Sequence, residues 1–137
     1  MYKKILVPVE PSHVERHQQA LEMARALRAD DTAEIIALTV IEPVPGYFAM
    51  AESLPDLQLQ AGEQTLKDLK EFVGDTSKIT PKVLHGHAAT QINMFAEQEG
   101  VDCIVIASHK PEFVDYFLGS TAARVVRHAP CSVHVMR

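Results

Sequence analysis

The sequence lacks any long apolar run. The apolar run nearest the amino terminus, Ile5-Leu6-Val7, is followed at once by Pro8. It is therefore too short for the hydrophobic region of a signal peptide or for a membrane span. We expect a cytoplasmic protein with no membrane insertion.

Positive charge is also scarce. The 137 residues contain 13 Lys and Arg against 18 Asp and Glu, which gives a formal net charge of −5. A nucleic-acid-binding surface needs many cations to neutralise phosphates, so we expect no nucleic-acid partner. This length predicts a single domain over residues 1–137, large enough to bury a core of its own.

Cysteine occurs only twice, as Cys103 and Cys131. Both lie inside or beside apolar, strand-like runs, where a reduced cysteine behaves as a small apolar residue. This pattern gives little support to a redox or metal role.

Two histidine pairs are the other metal candidates. His85 and His87 are two residues apart, which on one strand places both side chains on the same face. No third ligand lies near them in sequence, so we expect strand-end histidines and no metal site. His13 and His17 are four apart on a predicted helix, but the glutamate of a zinc-protease motif does not follow the first histidine. We predict that these two are exposed helical histidines.

Apolar runs alternate with helical apolar stripes along the whole chain. This alternation predicts βαβ units with a parallel sheet, an α/β fold whose ligands bind beyond the carboxyl ends of the strands. The predicted strands are 5–9, 35–41, 82–86, 103–107 and 131–136. The predicted helices run from Ser12 to about Arg28, from a long loop at 47–59 to about Phe72, from 89 to 99 and from 120 to 128.

One stretch joins a strand, a polar loop and the start of a helix. The apolar run 104–107 leads through the loop to Gly119-Ser120-Thr121, which precedes an apolar-periodic segment. Ser120 or Thr121 can cap the helix, and Gly119 lets the backbone come close to a ligand. Free N–H groups and the positive end of the helix dipole favour a phosphate there. An ordinary capped helix after a loop explains these residues equally well.

The same loop contains Ser108-His109, a combination also found in hydrolases. Adjacent residues on an extended loop point apart, and no carboxylate is evident to orient the histidine. We therefore expect no catalytic residue in this chain.

Several segments together resemble the universal stress protein family over the whole chain. The segments are 5–10 (ILVPVE), 38–40 (LTV), 118–120 (LGS) and 125–133 (VVRHAPCSV). The loop 107–111 (ASHKP) is similar to the corresponding loop of the small bacterial F and G branch. The resemblance implies an open five-stranded parallel sheet with helices on both faces and strand order 3-2-1-4-5. Such a fold is Rossmann-like, of the adenine nucleotide alpha hydrolase-like type. It also implies a homodimer formed by antiparallel pairing of the last strands, through Ser132, Val133, His134, Val135 and Met136.

Some members of the family bind ATP, and the resemblance implies an adenine nucleotide here, with or without Mg²⁺. The residues implied for the nucleoside are Pro8, Val9, Glu10, Thr39 and Val40. The residues implied for the phosphates are Ala107, Ser108, His109, Lys110, Gly119, Ser120 and Thr121. The implied function is a homodimeric stress-response sensor or regulator with a protein partner, in which ATP hydrolysis or self-phosphorylation is at most slow and incidental.

This chain departs from the family pattern at two places. Glu10 stands where the family usually has aspartate, and the stretch 107–110 has neither glycine of the usual Gly-x-x-Gly phosphate loop. Lys110 either neutralises phosphate in their place or is a solvated loop charge. The missing glycines favour an alternative function, a stress-induced dimer that binds no nucleotide and acts only through protein contacts.

Overall fold

Five strands alternate with four helices in the part of the chain that the structure describes. This structure is a computed structural model, and it describes residues 1–10, 13–43, 54–74, 78–108 and 119–137. The elements are β1 (Lys4–Pro8), α1 (Val14–Leu27), β2 (Glu34–Ile41), α2 (Leu54–Val73), β3 (Ile79–His85), α3 (Ala88–Gln98), β4 (Cys103–Ala107), α4 (Ser120–His128) and β5 (Ser132–Met136). None of these described helices is both long and apolar enough to span a membrane.

The strands form one parallel sheet in the order β3-β2-β1-β4-β5. β1 is central, and its residues Ile5, Leu6 and Val7 are fully buried, as expected of a strand covered on both faces. The predicted α/β fold and the strand order implied by the resemblance are confirmed.

The sheet has a separate core on each face, because successive strand residues point to opposite sides. Ile5 and Val7 face the layer of α1 and α2, where they pack with Leu21 and Leu69. Leu6 faces the other layer, whose helix residues include Ala89, Ile92 and Ala96 of α3 and Ala122 and Val125 of α4. Each helix layer thus packs on its own group of buried strand residues.

Two predicted boundaries differ from the structure by three residues or more. β3 begins at Ile79, three residues before the predicted start at Lys82. Its Pro81 is tolerated because β3 is an edge strand, where a missing N–H leaves no ladder bond unmade. α2 begins at Leu54, inside the predicted loop 47–59. Pro55 favours this start, since the first turn of a helix does not use its N–H. The rest of that loop up to residue 53, and the predicted cap Ser12, lie outside the described residues.

Candidate functional site

A cleft lies at the carboxyl edge of the sheet, where β1, β2 and β4 end beside the amino ends of α3 and α4. Its volume is about 90 Å³. The described lining comprises Pro8, Val9, Glu10, His17, Leu38, Val40, Ala88, Ile92, Ile106, Ala107, Gly119, Ser120, Thr121 and Ala122. Eight of these were predicted as site residues from the sequence: Pro8, Val9, Glu10, Val40, Ala107, Gly119, Ser120 and Thr121. The parallel topology brings them together because all of the strands end at this edge.

The inner part of the cleft is apolar and rigidly packed. Val9, Ile92 and Ile106 each line it while being less than 5% exposed. Side chains this buried are held by the core beneath them. The cleft therefore offers a preformed apolar surface, the kind on which a flat ring binds.

Thr39 supports the cleft instead of lining its described part. Its Oγ1 is buried and donates a hydrogen bond to the carbonyl oxygen of Val9 at 2.9 Å. The Val9 N–H in turn donates to the carbonyl oxygen of Leu38 at 2.8 Å. Neighbouring strand residues face opposite sides of the sheet, so of the predicted pair Thr39 and Val40, only Val40 is a lining residue. Thr39 holds the chain after β1 against β2.

The amino end of α4 is open toward the cleft. The N-cap residue is Gly119, and among the described residues no side chain makes a capping hydrogen bond, so the predicted cap by Ser120 or Thr121 is wrong. Within the described residues, the first bond of the helix runs from the Ala123 N–H to the Gly119 carbonyl oxygen at 2.9 Å. The amides of residues 120–122 precede that bond, and these residues line the cleft. Their N–H groups and the positive end of the helix dipole suit an anion.

Ser108 ties this helix start to the sheet. Its Oγ accepts a hydrogen bond from the Gly119 N–H at 3.3 Å, and its own N–H donates to the carbonyl oxygen of Met136 at 2.7 Å. Ser108 therefore joins the end of β4 to the start of α4 and to the end of β5. The predicted site residues His109 and Lys110 lie outside the described residues.

His17 is a lining residue that the sequence analysis missed. It is only 6% exposed and lines the cleft, so the prediction of an exposed histidine is wrong at this position. His13 is exposed as predicted, and its Nε2 lies 3.4 Å from Oε2 of Glu10 at the rim. The two imidazole ring centres are 6.5 Å apart. His17 precedes the buried residues Leu21 and Ala24 by four and seven positions, and this spacing was the signal that it belongs to the inward stripe of α1.

His85 and His87 do not share a strand face. His85 is the last residue of β3, and His87 is the N-cap residue of α3. Gly86 between them has a φ of +136°, a backbone conformation that residues with a side chain rarely adopt. Within the described ranges, no group of three or more His, Cys, Asp or Glu is placed to hold a metal ion.

The two cysteines are free thiols. Burial raises the pKa of the Cys103 thiol to about 11 and also raises the pKa of the Cys131 thiol. Both thiols are therefore protonated near neutral pH, and the thiolate is the reactive form. Cys103 begins β4 and so lies at the opposite edge of the sheet from the cleft.

Comparison with known proteins gives one consistent result. Residues 1–137 match the sequence model of the Universal stress protein family. Universal stress protein G of Shigella flexneri is 32% identical over 144 residues, covering the full length of both chains. The solved structure of universal stress protein UspA from Lactobacillus plantarum is similar with a TM-score of 0.71 and 27% identity, covering 99% of this chain and 98% of that one. A universal stress protein solved in complex with cAMP has the same fold, with a TM-score of 0.68 at 19% identity over 99% of this chain and 97% of that one.

Proposed function

The chain belongs to the universal stress protein family, and from that membership we propose that it binds an adenine nucleotide, ATP, at the carboxyl edge of its sheet. The observation that carries this proposal is the meeting of an apolar cleft with the amino end of α4, which no described side chain caps. An apolar surface next to the backbone N–H groups of a helix start suits a ligand that is flat and apolar at one end and anionic at the other. A protein of this fold solved with cAMP is consistent with such a ligand.

The base, the ribose and a phosphate of the nucleotide would each contact a different group of the described residues. The base would lie on the apolar wall that includes Val9, Val40 and Ile92. The Glu10 carboxylate at the rim would accept hydrogen bonds from the ribose hydroxyls. The amides that begin α4 would donate to a phosphate. Mg²⁺ would arrive with the phosphates, because the described residues offer no three-ligand site of their own.

We propose that the protein works as a homodimeric sensor or regulator in the stress response, and not as a catalyst. β5 forms one end of the sheet and hydrogen-bonds to β4 alone among the described strands, so its other edge is available to a second copy. Antiparallel pairing of two β5 strands would cover Ser132, Val133, His134, Val135 and Met136. ATP binding would then change the surface that the dimer offers to a protein partner.

The size of the cleft favours a second candidate function. Its volume of about 90 Å³ is below the roughly 300–1,000 Å³ of ordinary small-molecule sites. A dimer that binds no nucleotide and acts through protein contacts is consistent with that volume. The two candidates differ in one measurable property, which is affinity for ATP.

Titration calorimetry with ATP tests the proposal, with AMP and Mg²⁺-free titrations alongside. We expect micromolar binding that Gly119→Val weakens by at least tenfold, because the φ of Gly119 is −53° and valine adds bulk there without requiring a forbidden backbone conformation. Thermal unfolding of the variant shows whether it is folded. Absence of heat with folded, nucleotide-free wild-type protein would contradict nucleotide binding and support the interaction module.

A further inference from the structure

A second and larger cavity adjoins the cleft. It lies between the first turns of α1, the carboxyl end of β4 and the end of β5, and its volume is about 410 Å³. Its described lining comprises His13, Glu15, Arg16, Gln19, Ala107, Ser108, Met136 and Arg137. We call this space the arginine cavity. Ala107 lines both the arginine cavity and the cleft, so the two spaces are neighbours across the end of β4.

The two volumes together are large enough for one ligand that uses both spaces. The cleft at about 90 Å³ is smaller than a usual ligand site, whereas the arginine cavity at about 410 Å³ lies within the usual range of roughly 300–1,000 Å³. The cleft is lined mainly by apolar side chains, and the arginine cavity mainly by charged and polar ones. A ligand with an apolar ring and a long polar tail matches this division.

Two arginine side chains in the arginine cavity suit an anionic tail. Arg16 and Arg137 each place a guanidinium group in the described lining, which also includes Glu15. The amino end of α1 adds the positive end of a helix dipole on the same side, and its N-cap residue His13 makes no side-chain capping hydrogen bond. A guanidinium group donates two parallel hydrogen bonds to phosphate, so arginine binds a phosphate more specifically than lysine does.

We infer that the arginine cavity receives the outer phosphates of the nucleotide whose base occupies the cleft, with Arg16 and Arg137 as the anion-binding residues. This inference rests on the proposed function, since the base must first bind in the cleft. It assigns phosphate binding to the α1 side of β4, in addition to the amides of α4. It also supplies positive charge to a site whose loop lacks the glycines of the family's phosphate loop.

The ratio of ATP affinity to adenosine affinity tests the inference, because adenosine lacks the phosphates. Arg16→Gln removes one guanidinium group and keeps a side chain of similar length. We expect this substitution to lower the ratio by about tenfold or more, as for loss of a charge-assisted hydrogen bond. Arg137→Gln is expected to lower it similarly. The matched control is Arg25→Gln, which removes an equal charge from the exposed last turn of the same helix, and its ratio is expected to equal that of the wild type.

A second measurement separates a direct charge contact from a structural effect. The ATP affinity of the wild type is expected to fall as NaCl rises, and it should fall less steeply in Arg16→Gln. This inference would be overturned, and the proposed function kept, if the wild type, Arg16→Gln and Arg137→Gln all bound ATP and adenosine with the same affinity ratio and the same salt dependence. If the wild type bound neither adenosine nor ATP, the proposed function would be overturned and this inference with it.

Discussion

Ser120→Glu is expected to weaken ATP binding strongly without loss of stability. Ser120 is exposed, lines the cleft and is the first residue of α4. A carboxylate in the first turn of a helix interacts favourably with the helix dipole, by about 0.3–1 kcal/mol. The same carboxylate repels a phosphate at this position, by about 4 kcal/mol at a separation of roughly 4 Å near a protein surface. Calorimetry should therefore show ATP affinity lowered by a hundredfold or more, while the urea midpoint stays equal or rises.

Two control variants isolate the local charge. Ser120→Gln introduces a neutral side chain of nearly the same size as glutamate, so its ATP affinity reports the steric part of the effect. Gln98→Glu adds an equal negative charge at the exposed carboxyl end of α3, far from the cleft. We expect both to bind ATP within a few-fold of the wild type. If Ser120→Glu bound ATP as well as Ser120→Gln does, no phosphate would lie at the amino end of α4.

The buried strands were well predicted because burial on both faces of the sheet requires a continuous apolar run, which is easy to recognise in a sequence. β4 has the predicted bounds Cys103–Ala107, and α4 has the predicted bounds Ser120–His128. β4 is an apolar run and α4 an amphipathic one, and both are bounded by charged, polar or proline residues. β3 was predicted less well, because an edge strand is half exposed and tolerates Pro81. Its first residues therefore lack the apolar run that identifies a central strand.

The candidate site was predictable at the level of which chain segments meet. The rule that ligands bind at the carboxyl ends of parallel strands places Glu10, Val40 and Ala107 together. The helix-start pattern indicated residues 119–121, and the family resemblance implied Pro8 and Val9. The direction of individual side chains was not predictable in the same way. Thr39 was predicted beside Val40, but a shift of one residue turns a side chain to the other face, and its hydroxyl bonds to Val9 instead.

The start of α4 shows a second limit. Ser120 and Thr121 are both good capping residues by type, but a cap also requires extended backbone at that residue. The structure has that backbone at Gly119, with ψ of 151°, and the helix begins one residue later. Likewise, His17 was judged by its residue type and not by its position in the inward stripe. Backbone angles at one residue, and the burial of one polar side chain, depend on tertiary contacts that a local pattern does not contain.

Of the substitutions considered, Leu6→Ala is expected to produce the largest loss of stability. Leu6 is 0% exposed, pairs in register with Ile36 and belongs to the core under α3 and α4. Removing a buried leucine side chain leaves a cavity and costs about 2–5 kcal/mol. Natural domains are stable by only about 5–15 kcal/mol, so the variant should unfold at a much lower urea concentration or be partly unfolded without urea. Urea unfolding followed by circular dichroism measures the difference.

Leu59→Ala is the matched control, because it makes the same chemical change at a residue that is 63% exposed on α2. Substitution at such a surface position is expected to change the free energy of unfolding by less than about 0.5 kcal/mol. The difference between the two variants therefore measures burial and not residue type. Leu38 belongs to the same core as Leu6 and also lines the cleft, so packing at Leu6 supports the surface on which the base would lie. Equal stability of the two variants would show that this core does not hold α3 and α4 on the sheet, and the cleft between them would lose its structural basis.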